Sequence, residues 1–215
     1  GNLYGWVCDY LIDRTQAVRI DDSISDERPV LSGVPQGSVI APTLFILFLN
    51  DLCDALNMGH GSDFHLVYAD DTMIYCVGDN PVKLRLRMNL QLRIALEWSK
   101  VWGMTFNPTY TDAMFFSNVH NADDYTITFD GHPLLYVDSH KHLGFWLSTS
   151  LQFGLHVDHV CRTVASQIFL LKRLSFITAD IEILKKVYKT YIRPHFEYAV
   201  PAWSAMRLGD RDRLE

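Results

Sequence analysis

Hydrophobic and polar positions alternate with two periods along this chain. Leu3 to Asp13 carries apolar or aromatic residues at Leu3, Trp6, Val7, Tyr10 and Leu11, the spacing of one helix face. Arg14 to Asp22 alternates around Ala17, Val18 and Ile20 and predicts a strand. Asp21-Asp22-Ser23 has turn chemistry, and Pro29 to Ser32 is the expected returning strand. A Gly/Pro loop, Gly33 to Gly37, precedes a helix that Ser38 can cap and that runs to about Leu56. Its nearly all-round apolarity predicts burial on every side. After a break at 59–62, Phe64 to Tyr68 and Met73 to Val77 predict two strands around the turn Ala69 to Thr72.

Pro81 to Trp102 predicts an amphipathic helix ended by Gly103. Leu84, Met88, Leu92, Leu96 and Val101 mark its inner face, and Lys83, Arg85, Arg87, Arg93 and Lys100 its solvated sides. Short strands follow at Ala113 to Ser117, at Tyr125 to Phe129 and Pro133 to Val137 around Asp130-Gly131, and at Leu143 to Leu147. Beyond Ser150 the texture becomes purely helical. Helices are expected over Phe153 to Leu174 and Ala179 to Ile192, with Pro194 stopping the second and a shorter helix or loop reaching Met206. The stripe Phe153, Val157, Val160 and Val164 reads as core or as an interface. A mixed α and β region followed by a helical one implies an α+β fold with a small helical domain.

Composition narrows the class. With 48 % hydrophobic and 20 % charged residues among 215, the chain is globular rather than disordered or low-complexity. The longest apolar run, Val39 to Leu49, is interrupted by Pro42 and Thr43 and is too short to span a bilayer, so no membrane partner is expected. No basic segment followed by an apolar one opens the chain, which reads as lacking a signal peptide. Cys8, Cys53, Cys76 and Cys161 lie far apart and read as reduced, buried, intracellular thiols. The chain opens at Gly1 inside an apolar-periodic segment and reads as a piece of something longer.

Charge is unevenly placed. Residues 1–140 hold 8 Lys/Arg against 18 Asp/Glu, and residues 141–215 hold 11 against 7. Such asymmetry fits either an acidic site beside a basic polyanion-binding element or two unevenly charged solvated faces. A pI near 5.8 argues against strong non-specific nucleic-acid binding by these residues alone.

The sharpest chemical feature is Tyr68-Ala69-Asp70-Asp71 between two apolar strands. Side chains alternate along a strand, so adjacent acids serve one pocket only where the backbone turns. Paired carboxylates at such a rim suit Mg²⁺, which takes hard oxygen ligands and in pairs clamps an in-line phosphoryl transfer. Asp is also favoured in turns for backbone reasons, and Asp21-Asp22 and Asp123-Asp124 are pairs of that plain kind. The tetrapeptide arises by chance on the order of once in a thousand chains of this length. Gly33-Val34-Pro35-Gln36-Gly37-Ser38 is the second feature. Its glycines allow close approach, Gln36 offers donor and acceptor, and free amides at the helix start suit a phosphate. Taken alone, it reads better as a strand-to-helix loop with a Ser cap. The histidines His132, His140, His142, His156 and His159 lack zinc-ligand spacing and read as surface or packing residues. Trp98, Trp102, Trp146 and Trp203 read as core rather than base-stacking platforms.

Together, in this order and 32 residues apart, the loop and the acidic turn resemble reverse transcriptases, most closely those of LINE-type (non-long-terminal-repeat), jockey-like retrotransposons. Trp6 to Arg19, Gly33 to Asp51 ("GVPQGSVIAPTLFILFLND"), Trp98 to Phe116 ("WSKVWGMTFNPTYTDAMFF"), Lys141 to Leu147 ("KHLGFWL") and Tyr188 to Trp203 resemble further segments of that family, in order over essentially the whole chain.

The resemblance implies an incomplete polymerase palm at 1–148, an antiparallel sheet with packed helices, followed by a helical thumb-like region at 149–215. It implies an RNA-directed DNA polymerase with Mg²⁺ as cofactor, an RNA template with a DNA primer and deoxynucleotides as partners, and an intracellular setting with the element RNA. Asp70 would be the principal Mg²⁺ ligand and Asp71 its partner. Gln36, Gly37 and Ser38 would meet the template and nucleotide. Tyr68, Ala69, His142, Leu143 and Gly144 would lie at the primer end, and Lys172, Arg173, Lys185 and Lys189 would face phosphates.

Three departures stand beside this. The family's third metal-binding carboxylate, on a strand upstream of Trp6, has no counterpart, and the fingers are absent. Tyr110 stands where Lys is usual, so it can donate a proton but brings no positive charge. His142 stands where Tyr is usual. These departures leave a second reading: a catalytically inactive remnant serving at most as a nucleic-acid-binding or interaction module.

Overall fold

Ser38 does cap the first long helix: its Oγ accepts the Ala41 N–H at 3.2 Å. In the computed structural model, which describes residues 1–57, 61, 63–117 and 126–214, that helix is one of the scaffolds of the N-terminal unit. The chain divides into two compact units, Gly1–Phe106 and Asn107–Glu215. Asp123-Asp124, Tyr125 and most of the expected break at 59–62 lie outside the described residues.

The N-terminal unit begins with α1, Asn2–Leu11. The expected strand at 14–22 is split in two. β1 (Thr15–Gln16) pairs antiparallel with β4 (Arg28–Pro29), and β2 (Arg19–Ile20) pairs with β3 (Ser23–Ile24) across the Asp21-Asp22 turn. The returning strand thus lies at 28–29, ahead of the expected 29–32, and only the Val30 N–H to Arg14 carbonyl bond extends it. Helix α2 (Ala41–Asn57) buries Ala41, Leu49, Leu52 and Leu56. Ile46 and Leu47 remain about two-thirds exposed, so the helix is buried on one face and not all round.

β5 (Asp63–Tyr68) and β6 (Asp71–Cys76) form a six-residue antiparallel ribbon in register Asp63↔Cys76 to Tyr68↔Asp71. Helix α3 (Pro81–Trp102) starts at Asn80, whose side chain accepts the Lys83 N–H, and stops at Gly103 in the left-handed conformation, φ +66. Its inner face is Gln91, Leu92, Ala95, Trp98 and Ser99, while Val101 is 80 % exposed. Of the expected stripe, Leu92 is buried and Leu84, Met88 and Leu96 are half-buried, so Val101 alone departs; Trp98 packs edge to face on Phe48, with ring centroids 5.5 Å apart. The core joins Leu49, Leu52 and Leu56 of α2 to Ala95 and Trp98 of α3, with Val67 and Ile74 of the ribbon packed against it. A fully buried Leu such as Leu52 contributes about 2–3 kcal/mol.

The C-terminal unit holds a 3₁₀ turn at Pro108–Tyr110 and two further two-stranded ribbons. β7 (Thr128–Phe129) and β8 (His132–Pro133) close on Asp130-Gly131, and β9 (Ser139–His142) and β10 (Phe145–Ser148) close on Leu143-Gly144. Both turns have positive φ at both residues, the primed-turn geometry that matches strand twist. The expected strand at 113–117 reduces to one parallel bridge, Ala113 to Tyr136. Leu143, expected to start a strand, is instead in the turn.

Helix α4 (Gly154–Ile177) packs Val160 and Val164 against Ile192, which settles that stripe as core. Helix α5 (Ile181–Val187) runs through a π turn (Tyr188–Ile192) into α6 (Arg193–Glu197). Pro194 falls in the first turn of α6, where its missing N–H costs nothing, so it begins a segment and does not stop one. Helices α7 (Val200–Trp203) and α8 (Leu208–Asp212) end the unit. The architecture is mixed α and β with short antiparallel ribbons, as expected of the α+β class. All four cysteines are unpaired but half-buried rather than buried, and Trp102 is 47 % exposed, not core.

Candidate active site

The β5–β6 ribbon is a strut with a fixed base and a free tip. At the tip the register leaves only Ala69 and Asp70 between the paired Tyr68 and Asp71. Asp70 thus lies in the turn itself, and Asp71 opens β6. Ala69 takes φ +51 to make the reversal. All four residues are exposed. Among the described residues, neither the Asp70 nor the Asp71 carboxylate has a hydrogen-bond or ion-pair partner. Both are free to accept a cation.

The base is the opposite. Asp63 has its side chain 4 % exposed and forms an ion pair with Arg87 of α3. Gln91 Nε2 donates to the same carboxylate at 3.3 Å, and Arg87 Nη1 donates to the Val77 carbonyl at 3.0 Å. Burial alone raises the Asp63 carboxyl, but hydrogen bonds from Arg87, Cys76 and Gln91 outweigh it and the net displacement is downward. Burial and the neighbouring carboxylate push the Cys76 thiol up to about 12, so it is not a nucleophile at neutral pH. Arg87 was expected on a solvated side; it is a buried tether. Its spacing on α3 gave no sign of this, because the partner sits 24 residues earlier in the chain.

In the same unit, Gly33 and Gly37 take φ +81 and +83, which only glycine adopts cheaply. A Cβ at either would meet nothing within 4 Å, so the requirement is conformational. Arg14 donates to the Gly33 carbonyl and to that of Leu11, tying the loop to the end of α1. Gln36 is exposed, and Ser38 is occupied with its cap.

In the C-terminal unit, Leu143 (φ +47) and Gly144 (φ +82) form the β9–β10 turn, and His142 pairs with Phe145 beside it. The Tyr198 hydroxyl donates to the Leu143 carbonyl. The same ring lies 3.6 Å from where a Cβ on Gly144 would be. Tyr198 was missed from sequence: it is the residue that clamps this turn from 55 positions away. Tyr110 is 83 % exposed at the end of the 3₁₀ turn. Lys172, Arg173, Lys185 and Lys189 are exposed on α4, α5 and the π turn, and Lys185 is paired with Glu182 at 2.8 Å.

Asp70 and Asp71 offer hard oxygen donors, the chemistry that Mg²⁺ takes. No group of three or more metal-ligating side chains gathers among the described residues, so these two fit as part of a ligand set and not as a whole one. No helix among the described residues is long and apolar enough to cross a membrane.

Residues 2–147 match the family model of reverse transcriptase (RNA-dependent DNA polymerase). Curated relatives agree. The chain is 23 % identical over 209 residues, 94 % of its length, to the RNA-directed DNA polymerase from mobile element jockey of Drosophila melanogaster. It is 28 % identical over 99 % of its length to the probable RNA-directed DNA polymerase from transposon BS, and 26 % identical over 93 % to that from transposon X-element, both of the same fly. It spans under a quarter of the length of these relatives, 22 %, 24 % and 22 % respectively. No solved structure gives a significant match. With more than half of its residues matched, the chain belongs to the reverse transcriptase (RNA-dependent DNA polymerase) family.

Proposed function

We propose that these residues form the palm portion (1–148) and helical thumb (149–215) of a LINE-type RNA-directed DNA polymerase that extends a DNA primer on an RNA template. The observation that carries the reading is the two-residue turn presenting the free carboxylates of Asp70 and Asp71 to solvent, in a chain of this family. Asp70 is the principal Mg²⁺ ligand and Asp71 its partner. When bound by these carboxylates, Mg²⁺ would supply the positive charge that offsets the negative charge developing in an in-line phosphoryl transfer.

The chain's own side chains hold and orient. Gln36 reaches the template base and incoming nucleotide with its amide, and Gly37 lets the backbone come close. Ser38 fixes the loop through its cap. Tyr68 and Ala69 lie at the primer end with His142, Leu143 and Gly144. Tyr110 stands where the family's Lys is usual, and its hydroxyl can donate a proton but brings no positive charge. Lys172, Arg173, Lys185 and Lys189 face backbone phosphates, Lys185 least effectively because Glu182 neutralises it. The protein acts inside the cell, with the element RNA.

A second reading applies to these 215 residues alone. Two carboxylates without a third ligand among the described residues hold Mg²⁺ weakly and do not enforce two-metal geometry. The isolated chain is then expected not to polymerise, and to act at most as a nucleic-acid-binding or interaction module.

Primer extension tests the first reading. A longer polypeptide carrying the upstream polymerase segments is assayed with and without Asp70→Ala. Extension by the parent and its loss in the variant support the assignment; equal extension by both overturns it. Titration of the 215-residue chain with a labelled template–primer at several salt concentrations tests the second, and no binding even at low salt removes it.

A further inference from the structure

The guanidinium of Arg87 lies largely buried at the base of the ribbon whose tip carries Asp70 and Asp71. It holds both strands at once. Nη2 donates to the Asp63 carboxylate at the start of β5, and Nη1 donates to the Val77 carbonyl, one residue past the end of β6, at 3.0 Å. Gln91, one turn along the same face of α3, donates to the second Asp63 oxygen. The chain leaving β6 passes close by: a Cβ on Gly78 would stand 3.4 Å from the same Nη1 and 3.3 Å from Leu84 Cδ2. Among the described residues Arg87 Nε has no hydrogen-bond partner, so the attachment rests on the two Nη groups. A Lys ammonium is a point donor and does not span two strands as the planar fork does.

Two attachments fix the direction of the ribbon. Among the described residues β5 and β6 form a sheet of two strands. Asp63, His65 and Val67 alternate with exposed Phe64, Leu66 and Tyr68, so the clamp and the core contact lie on one face. Val67 and Ile74 pack against the α2–α3 core, on either side of the Leu66↔Met73 pair. The Asp63↔Cys76 pair is three steps away from it, ~10 Å at ~3.3 Å per residue, and the turn lies a similar distance on the other side. Helix α3 is itself held by Ala95 and Trp98 in that core. With the base released, the ribbon pivots on Val67 and Ile74, and a slip of ~1 Å at the base becomes about the same displacement at the turn. Misplacing a reacting group by ~1 Å costs up to about a hundredfold in rate.

We propose that Arg87 is a positioning residue: through Asp63 and Val77 it sets the angle at which the ribbon presents Asp70 and Asp71 to a divalent cation and the reacting groups. This rests on the polymerase reading above. Arg87 touches no substrate and acts only through the ribbon.

Two measurements test it. In the 215-residue chain, residual dipolar couplings of the β5–β6 amides, referred to those of α2 and α3, report the ribbon's orientation without metal or activity. Arg87→Met should alter them while the couplings within α2 and α3 still match the parent, and Arg87→Lys should alter them less. In the longer polypeptide carrying the upstream segments, assayed below each variant's unfolding transition, Arg87→Met should lower kcat for primer extension at least about tenfold, with KM for deoxynucleotide changed less than about threefold. Arg87→Lys should restore part of that loss; should Arg87→Met fail to fold, Arg87→Lys carries both measurements, with kcat down at least about threefold. Asp70→Ala in the same polypeptide separates the failures. Extension by Asp70→Ala equal to the parent's overturns the polymerase reading and the proposal with it. If Asp70→Ala abolishes extension, the positioning role alone is overturned by any of three results: the folded Arg87 variants keep the parent's kcat, their ribbon couplings match the parent's, or they raise KM with kcat unchanged.

Discussion

Replacing Arg87 by Met tests whether the ribbon that carries Asp70 is held at its base by charge. The substitution keeps most of the side-chain length but removes the ion pair to Asp63 and the bond to the Val77 carbonyl. Asp63, with 4 % of its side chain exposed, then keeps Gln91 and Cys76 among its donors. Breaking one partner of a buried pair costs about 3–5 kcal/mol. The surviving donors, and an Arg87 side chain still 18 % exposed, place the cost near the lower end, about 3 kcal/mol. Hydrogen exchange of the β5–β6 amides reads this locally, which matters in a chain of two units. Exchange should quicken roughly a hundredfold, since 1.36 kcal/mol is tenfold. The pH dependence has a fixed sign. The folded Asp63 carboxyl lies below the ordinary 3.8, so its stabilisation is complete above that value and is lost as pH falls through the lower folded one. Arg87→Met should flatten that acid loss. A double-mutant cycle with Asp63→Asn should show a coupling of about 2 kcal/mol. Less than threefold faster exchange, or strictly additive effects, would refute the buried tether.

Asp70→Asn and Asp71→Asn should each leave thermal stability within about 0.5 kcal/mol, because exposed carboxylates without partners hold nothing in place; a larger loss by calorimetry would mean that the tip is structural. His156→Phe removes two unpaired ring nitrogens and should raise the midpoint of unfolding at pH 7. Because the folded imidazole lies below its usual range, the parent should lose stability as pH falls below about 6.5, and the variant should lose less, as a set of melts between pH 5 and 8 would show. Tyr198→Phe should quicken exchange at the Leu143-Gly144 turn by an amount equal to about 0.5–1 kcal/mol, the worth of one ordinary hydrogen bond. Ala69→Gly should stabilise the ribbon by a few tenths of a kcal/mol, the relief of φ +51 less glycine's added chain entropy, read from the same β5–β6 amides.

What was legible in the sequence was local. The helix caps at Ser38 and Asn80, the stop at Gly103 and the Asp130-Gly131 turn each depend on one to four neighbouring residues, and each is where turn and cap chemistry puts it. The acidic turn was legible for the same reason, since Tyr68 to Asp71 interrupts two apolar strands. The misses were non-local. Arg87 and Asp63 meet across 24 residues, and Tyr198 and Leu143 across 55, and no periodicity marks such pairs. The burial of Gln91 and Ser99 on α3 was missed because they are held inside by hydrogen bonds to Asp63 and the Leu96 carbonyl, so polar residues share inner positions that a hydrophobic pattern gives to apolar ones. Pro194 misled because a π turn before it supplies the room that an α-helix would deny its ring.

The tight hairpins separate turns chosen for folding from turns chosen for something else. Among the described residues, four ribbons close on two-residue turns, and each places its first turn residue at positive φ. Two use Asp there, Asp21 at +52 and Asp130 at +49, and Asp visits this region readily because its short side chain can bond locally. The other two use Ala69 at +51 and Leu143 at +47, for which the left-handed region costs about 1–2 kcal/mol. Those are the two turns that carry the free carboxylates and the Tyr198 clamp. Such strain persists only where surroundings over-determine it, and both ribbons meet that condition: one is pinned at its base by Asp63 and Arg87, the other at its tip by Tyr198. Folding alone would place Asp or Gly at 69 and 143. At both positions a costly residue therefore stands in a ribbon braced by a contact from a distant part of the chain.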